Sequence, residues 1–182
     1  MTPYPIDPQV PDCPADPCWL HLTVEMVADA PAAAISGPER ADLVAALTDA
    51  LGDFAPFEIE AGPPIAGVSG AVLDVWPDGR AVALQDRVRE VIRTVRGEHA
   101  VMPTAGRPHF SLGYAYAEAD SDPLSSVLRT TITPRRAALF VDRVHVVDVE
   151  WFRAAMPSGV EGWRMSWESV TVIPLGVGGT GF

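Results

Sequence analysis

The sequence predicts an α+β fold built on antiparallel sheets, and three observations predict it. Short runs that alternate apolar and polar residues recur along the chain, bounded by Gly, Pro and Asp turns. Longer stretches with apolar residues at helical spacing interrupt them. The order strand–helix–strand–strand then occurs twice, with a linking helix between the two occurrences, so the chain reads as two halves of similar element order.

Residues 1–17 carry prolines at positions 3, 5, 8, 11, 14 and 17. Such spacing removes backbone donors and fixes φ, which predicts an extended arm. A strand is expected over residues 19–26, with Leu20, Leu22 and Val24 on one face and His21 and Thr23 on the other. Ser36 followed by Glu39 is a capping box, and Pro38 suits a first helical turn. The helix it opens carries Leu43, Leu47, Leu51 and Phe54 on one stripe.

Strands are expected over 57–60 and 67–76, followed by a turn at Pro77, Asp78 and Gly79. A second helix over 81–96 turns Leu84, Val88, Val91, Ile92 and Val95 inward and stops at Gly97. Its Arg89, Arg93 and Arg96 read as a solvated face of structural role, with an RNA-binding stripe as the alternative. A strand over 108–114 restarts the pattern. Asp122 and Pro123 open a short helix with Leu124, Val127 and Leu128, and strands follow over 138–149 and 163–174. The glycine-rich tail from Gly176 is expected to be loose.

Composition narrows the function classes. The chain has 182 residues, 48% of them hydrophobic, which excludes a disordered chain and allows a real core. No apolar run approaches the ~18 residues of a membrane span. The N-terminus lacks the basic and apolar regions of a signal peptide, so a cytoplasmic protein is expected. Thirteen basic residues, all arginine, against twenty-four acidic ones give a net charge of −11. Binding to long nucleic acid needs several phosphate contacts, so this charge favours a small nucleotide or an RNA end as partner. Cys13 and Cys18 have no second Cys/His pair, a poor zinc signal, and no carboxylate cluster of a two-metal site is present, so no cofactor is expected.

The most informative feature is a repeated unit: His, apolar, Thr or Ser, apolar. It appears as His21-Leu22-Thr23-Val24 and as His109-Phe110-Ser111-Leu112. Strand alternation puts each imidazole and its hydroxyl on one face while the apolar residues anchor the core. Phosphodiester cleavage needs a base for the attacking oxygen and an acid for the leaving oxygen, and a pair of histidines can hold opposite protonation states near neutrality. The hydroxyls of Thr23 and Ser111 are short donors suited to the phosphoryl oxygens.

On these two motifs the sequence resembles the 2H phosphoesterase superfamily, which includes 2′-5′ RNA ligase-like proteins and RNA cyclic phosphodiesterases. The resemblance runs from about Trp19 to Pro174. It implies two α+β lobes related by a pseudo-twofold, each an antiparallel sheet with helices on its outer face, around a central cleft. It divides the chain into an arm over 1–17, a single bilobal domain over 18–175 and a tail over 176–182. It also implies His21, Thr23, His109 and Ser111 as catalytic residues, with His109 the base and His21 the acid. Many ligase-like members carry a basic residue where this chain has Tyr114. An aromatic there could stack on a base or donate to phosphate, and it weakens the case for end joining.

Arg107, just before the second motif, is a candidate phosphate contact, with an exposed position at the start of the strand as the plain alternative. His99 and His145 read as ordinary loop and strand residues, and Trp76, Trp151, Trp163 and Trp167 as packing, with a base-stacking platform as the alternative. The expected activity is metal-independent hydrolysis of 2′,3′-cyclic phosphate or 2′-5′ linked nucleotide or RNA ends. RNA end joining, or non-catalytic nucleotide binding on the same scaffold, are the alternatives.

Overall fold

The computed structural model describes residues 20–67, 70–114, 120–155 and 161–177, and for 114, 154 and 162–164 the backbone alone. The proline-rich arm, Cys13, Cys18, Trp19 and the last residues of the tail lie outside the described residues. Helix α1 is Gly37–Leu51, strand β1 Phe57–Ala66, β2 Gly70–Trp76, helix α2 Gly79–Arg96, β3 His109–Tyr114, helix α3 Asp122–Thr131, β4 Ala137–Val141, β5 Arg143–Ala155 and β6 Glu161–Pro174. No described helix is long and apolar enough to cross a membrane.

The helices start and stop where their local chemistry directs. Ser36 accepts from the Glu39 amide while the Glu39 carboxylate accepts from the Ser36 amide, closing the capping box of α1. Leu43, Leu47 and Leu51 are buried on one stripe, and Phe54 joins them. Helix α2 ends at Gly97, whose φ of 99° suits a residue without Cβ. Val91 is partly buried against the core, but Val95 is exposed because it falls beyond the edge of the stripe. In α3 Leu128 is buried and Val127 is exposed.

All strand pairings among the described residues are antiparallel. The four-stranded sheet has the order β3-β2-β1-β4, and β5 and β6 form a separate two-stranded ribbon. The hairpin of the first half therefore lies between the two strands that the second half contributes. The apolar run expected as one strand over 138–149 is divided at Asp142, where β4 ends and β5 begins. One face of the four-stranded sheet carries Phe57, Ile59, Ala61, Ala71, Val75 and Phe110, all buried. Helices α1 and α2 close over this core, and Ile173 and Leu175 from the end of β6 complete it. At about 25 cal/mol per Å² of apolar surface, this burial is the main source of stability.

The segment expected as a strand over residues 19–26 makes one bridge among the described residues, Leu22 to Phe110 of β3. Leu22 and Val24 pack against the core as alternation requires, whereas Leu20 is exposed at the end of the segment. What holds the segment is a polar stripe on α2. Gln85 Nε2 donates to the Val24 carbonyl at 3.0 Å. Arg89 forms an ion pair with Glu25 and donates to the Met102 carbonyl at 2.5 Å. Arg96 donates to both Asp29 oxygens, at 3.2 and 3.0 Å. The side chains of Arg89 and Arg96 are 4% and 9% exposed. The expectation of a solvated arginine face is thus corrected: two of the three arginines are turned inward as partners of a segment with little ladder pairing of its own.

These contacts set the stability of the chain in ways that substitution can read. Glu25→Gln leaves the Arg89 charge buried without its counter-ion and is predicted to cost about 3–5 kcal/mol in urea denaturation. Ser36→Ala removes the helix cap and is predicted to cost about 1 kcal/mol by the same measurement. The Arg96 hydrogen bonds hold the Asp29 carboxyl below its usual range. A carboxylate depressed in the folded state stabilises above its unfolded pKa and loses that contribution as pH falls through the lowered folded value. Asp29→Asn should therefore be less stable than the parent at pH 7, with the difference shrinking as pH drops below about 4.

Candidate functional site

The bridge between Leu22 and Phe110 decides how the two motifs meet. Both residues turn toward the core, Phe110 buried and Leu22 packed against it. Pleating then sends the residues on either side of each to the opposite face. One residue away from the bridge, antiparallel register sets His21 opposite Ser111 and Thr23 opposite His109. The two histidines are diagonal neighbours in that arrangement, a relation that spaces residues about 7–8 Å apart. Thr23 and His109 are exposed, and His21 and Ser111 are half-buried.

Strand β2 supplies the next column. Its register pairs Val72 with Ser111 and Asp74 with His109. Ala71 and Val75 are buried on the core side, so Val72, Asp74 and Trp76 share the face of the motif side chains. The site therefore has two adjacent rows, Thr23–His109–Asp74 and His21–Ser111–Val72. Trp76 lies on the same face beyond Asp74 and is 55% exposed. A register shift between Ala71 and Val72 leaves Leu112 of β3 without an opposite residue, and Tyr114 pairs through its backbone with Gly70. The Tyr114 side chain lies outside the described residues.

The two imidazoles have different surroundings. The His109 Nδ1 lies 2.7 Å from the Arg107 carbonyl oxygen. A carbonyl only accepts, so Nδ1 carries the proton, and in the neutral ring Nε2 carries the lone pair. His21 meets the Trp167 ring edge-on, with centroids 5.1 Å apart and an interplanar angle of 67°. Trp167 belongs to β6, so the first motif lies where the four-stranded sheet and the β5–β6 ribbon come together.

Arg107 is already engaged by carboxylates. Its Nη2 is 3.1 Å from Asp78, at the N-terminus of α2, and its Nε is 3.8 Å from Asp74. Nearby on the sheet, Glu60 is paired with Arg136 at 3.0 Å. Of the other histidines, His99 sits in the short helical turn after Gly97, and His145 pairs with Val172 in the ribbon; both are exposed. Sequence reasoning passed over Asp74, gave Asp78 only a place in a turn, and read Trp167 as packing without its partner. The alternation in Val72-Leu73-Asp74-Val75-Trp76 was a usable signal for Asp74. The contact of Trp167 with His21 spans nearly the whole chain and left no local trace.

Comparison with known proteins bears on the fold and the family. No curated protein matches the chain. Among solved structures, TT0787 of Thermus thermophilus shares the fold, with a TM-score of 0.57 at 16% sequence identity, covering 86% of this chain and 78% of that one. The family model described as the 2′-5′ RNA ligase superfamily matches residues 10–150, a span that contains both histidine motifs and the whole four-stranded sheet. The chain belongs to the 2′-5′ RNA ligase superfamily, the 2H phosphoesterases.

Proposed function

We propose that this protein is a metal-independent phosphodiesterase that opens 2′,3′-cyclic phosphates or cleaves 2′-5′ linkages at nucleotide or RNA ends. The observation that carries this reading is the bridge from Leu22 to Phe110, which sets the two His-x-Thr/Ser units side by side on one exposed face. Family membership supports phosphoesterase or ligase chemistry of this general type.

In the proposed step, neutral His109 takes a proton from water through Nε2 as the water oxygen attacks phosphorus. A new P–O bond forms, and the bond from phosphorus to one ribose oxygen breaks. Protonated His21 delivers its proton to that leaving oxygen. The hydroxyls of Thr23 and Ser111 donate to the non-bridging oxygens, which lowers the cost of charge building there. The histidines return to their starting states by exchanging protons with solvent. The Arg107 carbonyl supports the base role of His109, because it favours the tautomer whose lone pair is on Nε2.

The net charge of −11 supports small or terminal substrates over long RNA. Asp74 and Glu60 on the site side of the sheet are each matched by an arginine, so Arg107 and Arg136 are already committed to carboxylates and poorly placed to grip an extended phosphate backbone. Val72 and Trp76 offer apolar surface for a base beside the catalytic rows, and Tyr114 is assigned as a further substrate contact.

His21→Ala and His109→Ala are each predicted to lower hydrolysis of a 2′,3′-cyclic mononucleotide by about 10²–10⁴-fold. The assay contains chelator throughout, and the parent protein should keep its rate there. The parent should also show a bell-shaped pH profile that each variant loses on one limb, because one ring must be neutral and the other charged. Full turnover in either alanine variant would sink the two-histidine mechanism.

A further inference from the structure

We propose that Arg107 is a positioning residue for His109, with Asp78 as its anchor, and that the pair acts by fixing the His109 tautomer. The proposal rests on the reading of His109 as the base, and it extends that reading to residues outside the two motifs.

The argument starts from what holds the His109 ring. Its Nδ1 donates to the carbonyl of Arg107, two residues earlier in the chain. That contact directs the proton only if the carbonyl itself stays in place. The chain from 102 to 108 has no helix or strand, and buried Pro108 alone joins Arg107 to the start of β3. The Arg107 side chain supplies a second restraint. It reaches Asp78 at 3.1 Å and passes Asp74 at 3.8 Å.

Both anchors sit on regular structure. Asp74 is inside β2, opposite His109 itself. Asp78 is the residue from which α2 starts, and its carboxylate makes no capping bond to the helix, leaving it available to the guanidinium. One arginine therefore ties its own peptide to a strand and a helix, and that peptide holds the imidazole.

A phosphate contact is the competing role for Arg107. A phosphate there would compete with Asp78 and Asp74 for the same positive charge, and drawing the guanidinium away from them would loosen the tether of the His109 acceptor. The arrangement instead follows the general logic of a catalytic histidine oriented by an acceptor behind it, with a peptide carbonyl as that acceptor.

The test reads the tautomer directly. Ring-nitrogen NMR of the full chain labelled in histidine, with His109→Ala to assign the signal, should show His109 protonated on Nδ1 in its neutral form. Arg107→Met and Asp78→Asn should each move the signal toward the Nε2-protonated form, and Arg107→Lys should recover part of the parental signal.

Kinetics on a 2′,3′-cyclic mononucleotide supply the second arm. In Arg107→Met, kcat should fall by about tenfold, a fraction of what loss of the base itself costs, with KM within about twofold of the parent. The base limb of the pH profile should move while the acid limb stays. An unchanged tautomer in a folded Arg107→Met or Asp78→Asn variant overturns the proposal. So does a raised KM at constant kcat, which would mark Arg107 as a substrate contact. If the parent hydrolyses none of the substrates, the proposed function falls while the NMR arm still decides the positioning role.

Discussion

The single antiparallel contact between Leu22 and Phe110 is the constraint on which the site depends. A regular strand would be fixed by a ladder of hydrogen bonds, each adding to the cost of slipping. Among the described residues the first motif has no such ladder. Its register comes from Leu22 and Val24, which must stay against the core. A slip of one residue would bury His21 and Thr23 and expose the leucine and valine. Its place along the chain direction comes from α2, through Gln85, Arg89 and Arg96. This explains why a helix otherwise committed to an apolar stripe buries Arg89 and folds Arg96 back onto Asp29. Without Glu25 the buried Arg89 would be costly; paired, the two arginines lock a segment that hydrogen-bonded pairing alone does not hold.

The sheet order gives the second motif the opposite treatment. Strand β3 is paired along its length with β2, and β2 with β1, so His109 and Ser111 stand on a rigid surface. The site is then assembled from three stretches of chain, around residues 21, 74 and 109, with the apolar side of the same sheet as its foundation.

Charge and chemistry are consistent with each other. A strongly acidic chain in a superfamily named for RNA is no contradiction, because binding one phosphoryl group takes far fewer cations than binding a long polyanion. The arginines near the site are engaged by carboxylates, Arg107 with Asp78 and Asp74, and Arg136 with Glu60. They tie the strands and the start of α2 together around the motif side chains. The same economy separates a reader of small or terminal substrates from one that grips long polyanions through many contacts.

The sequence by itself determined the three helices, most of the strands, the capped start of α1, the glycine stop of α2, and the two motifs with their alternation; it did not show that the segment over 19–26 holds only one bridge. Each of these rests on residues within a few positions of one another, where spacing and side-chain chemistry speak directly. It misjudged Arg89 and Arg96, because a charged residue on a helix looks the same whether it faces water or a carboxylate 64 or 67 positions away. Tertiary structure alone decided that β1 and β2 lie between β3 and β4, that Asp74 stands opposite His109, and that Trp167 packs on His21. Such relations are settled by the free energy of packing whole strands and helices together, and no local pattern encodes which edges will pair.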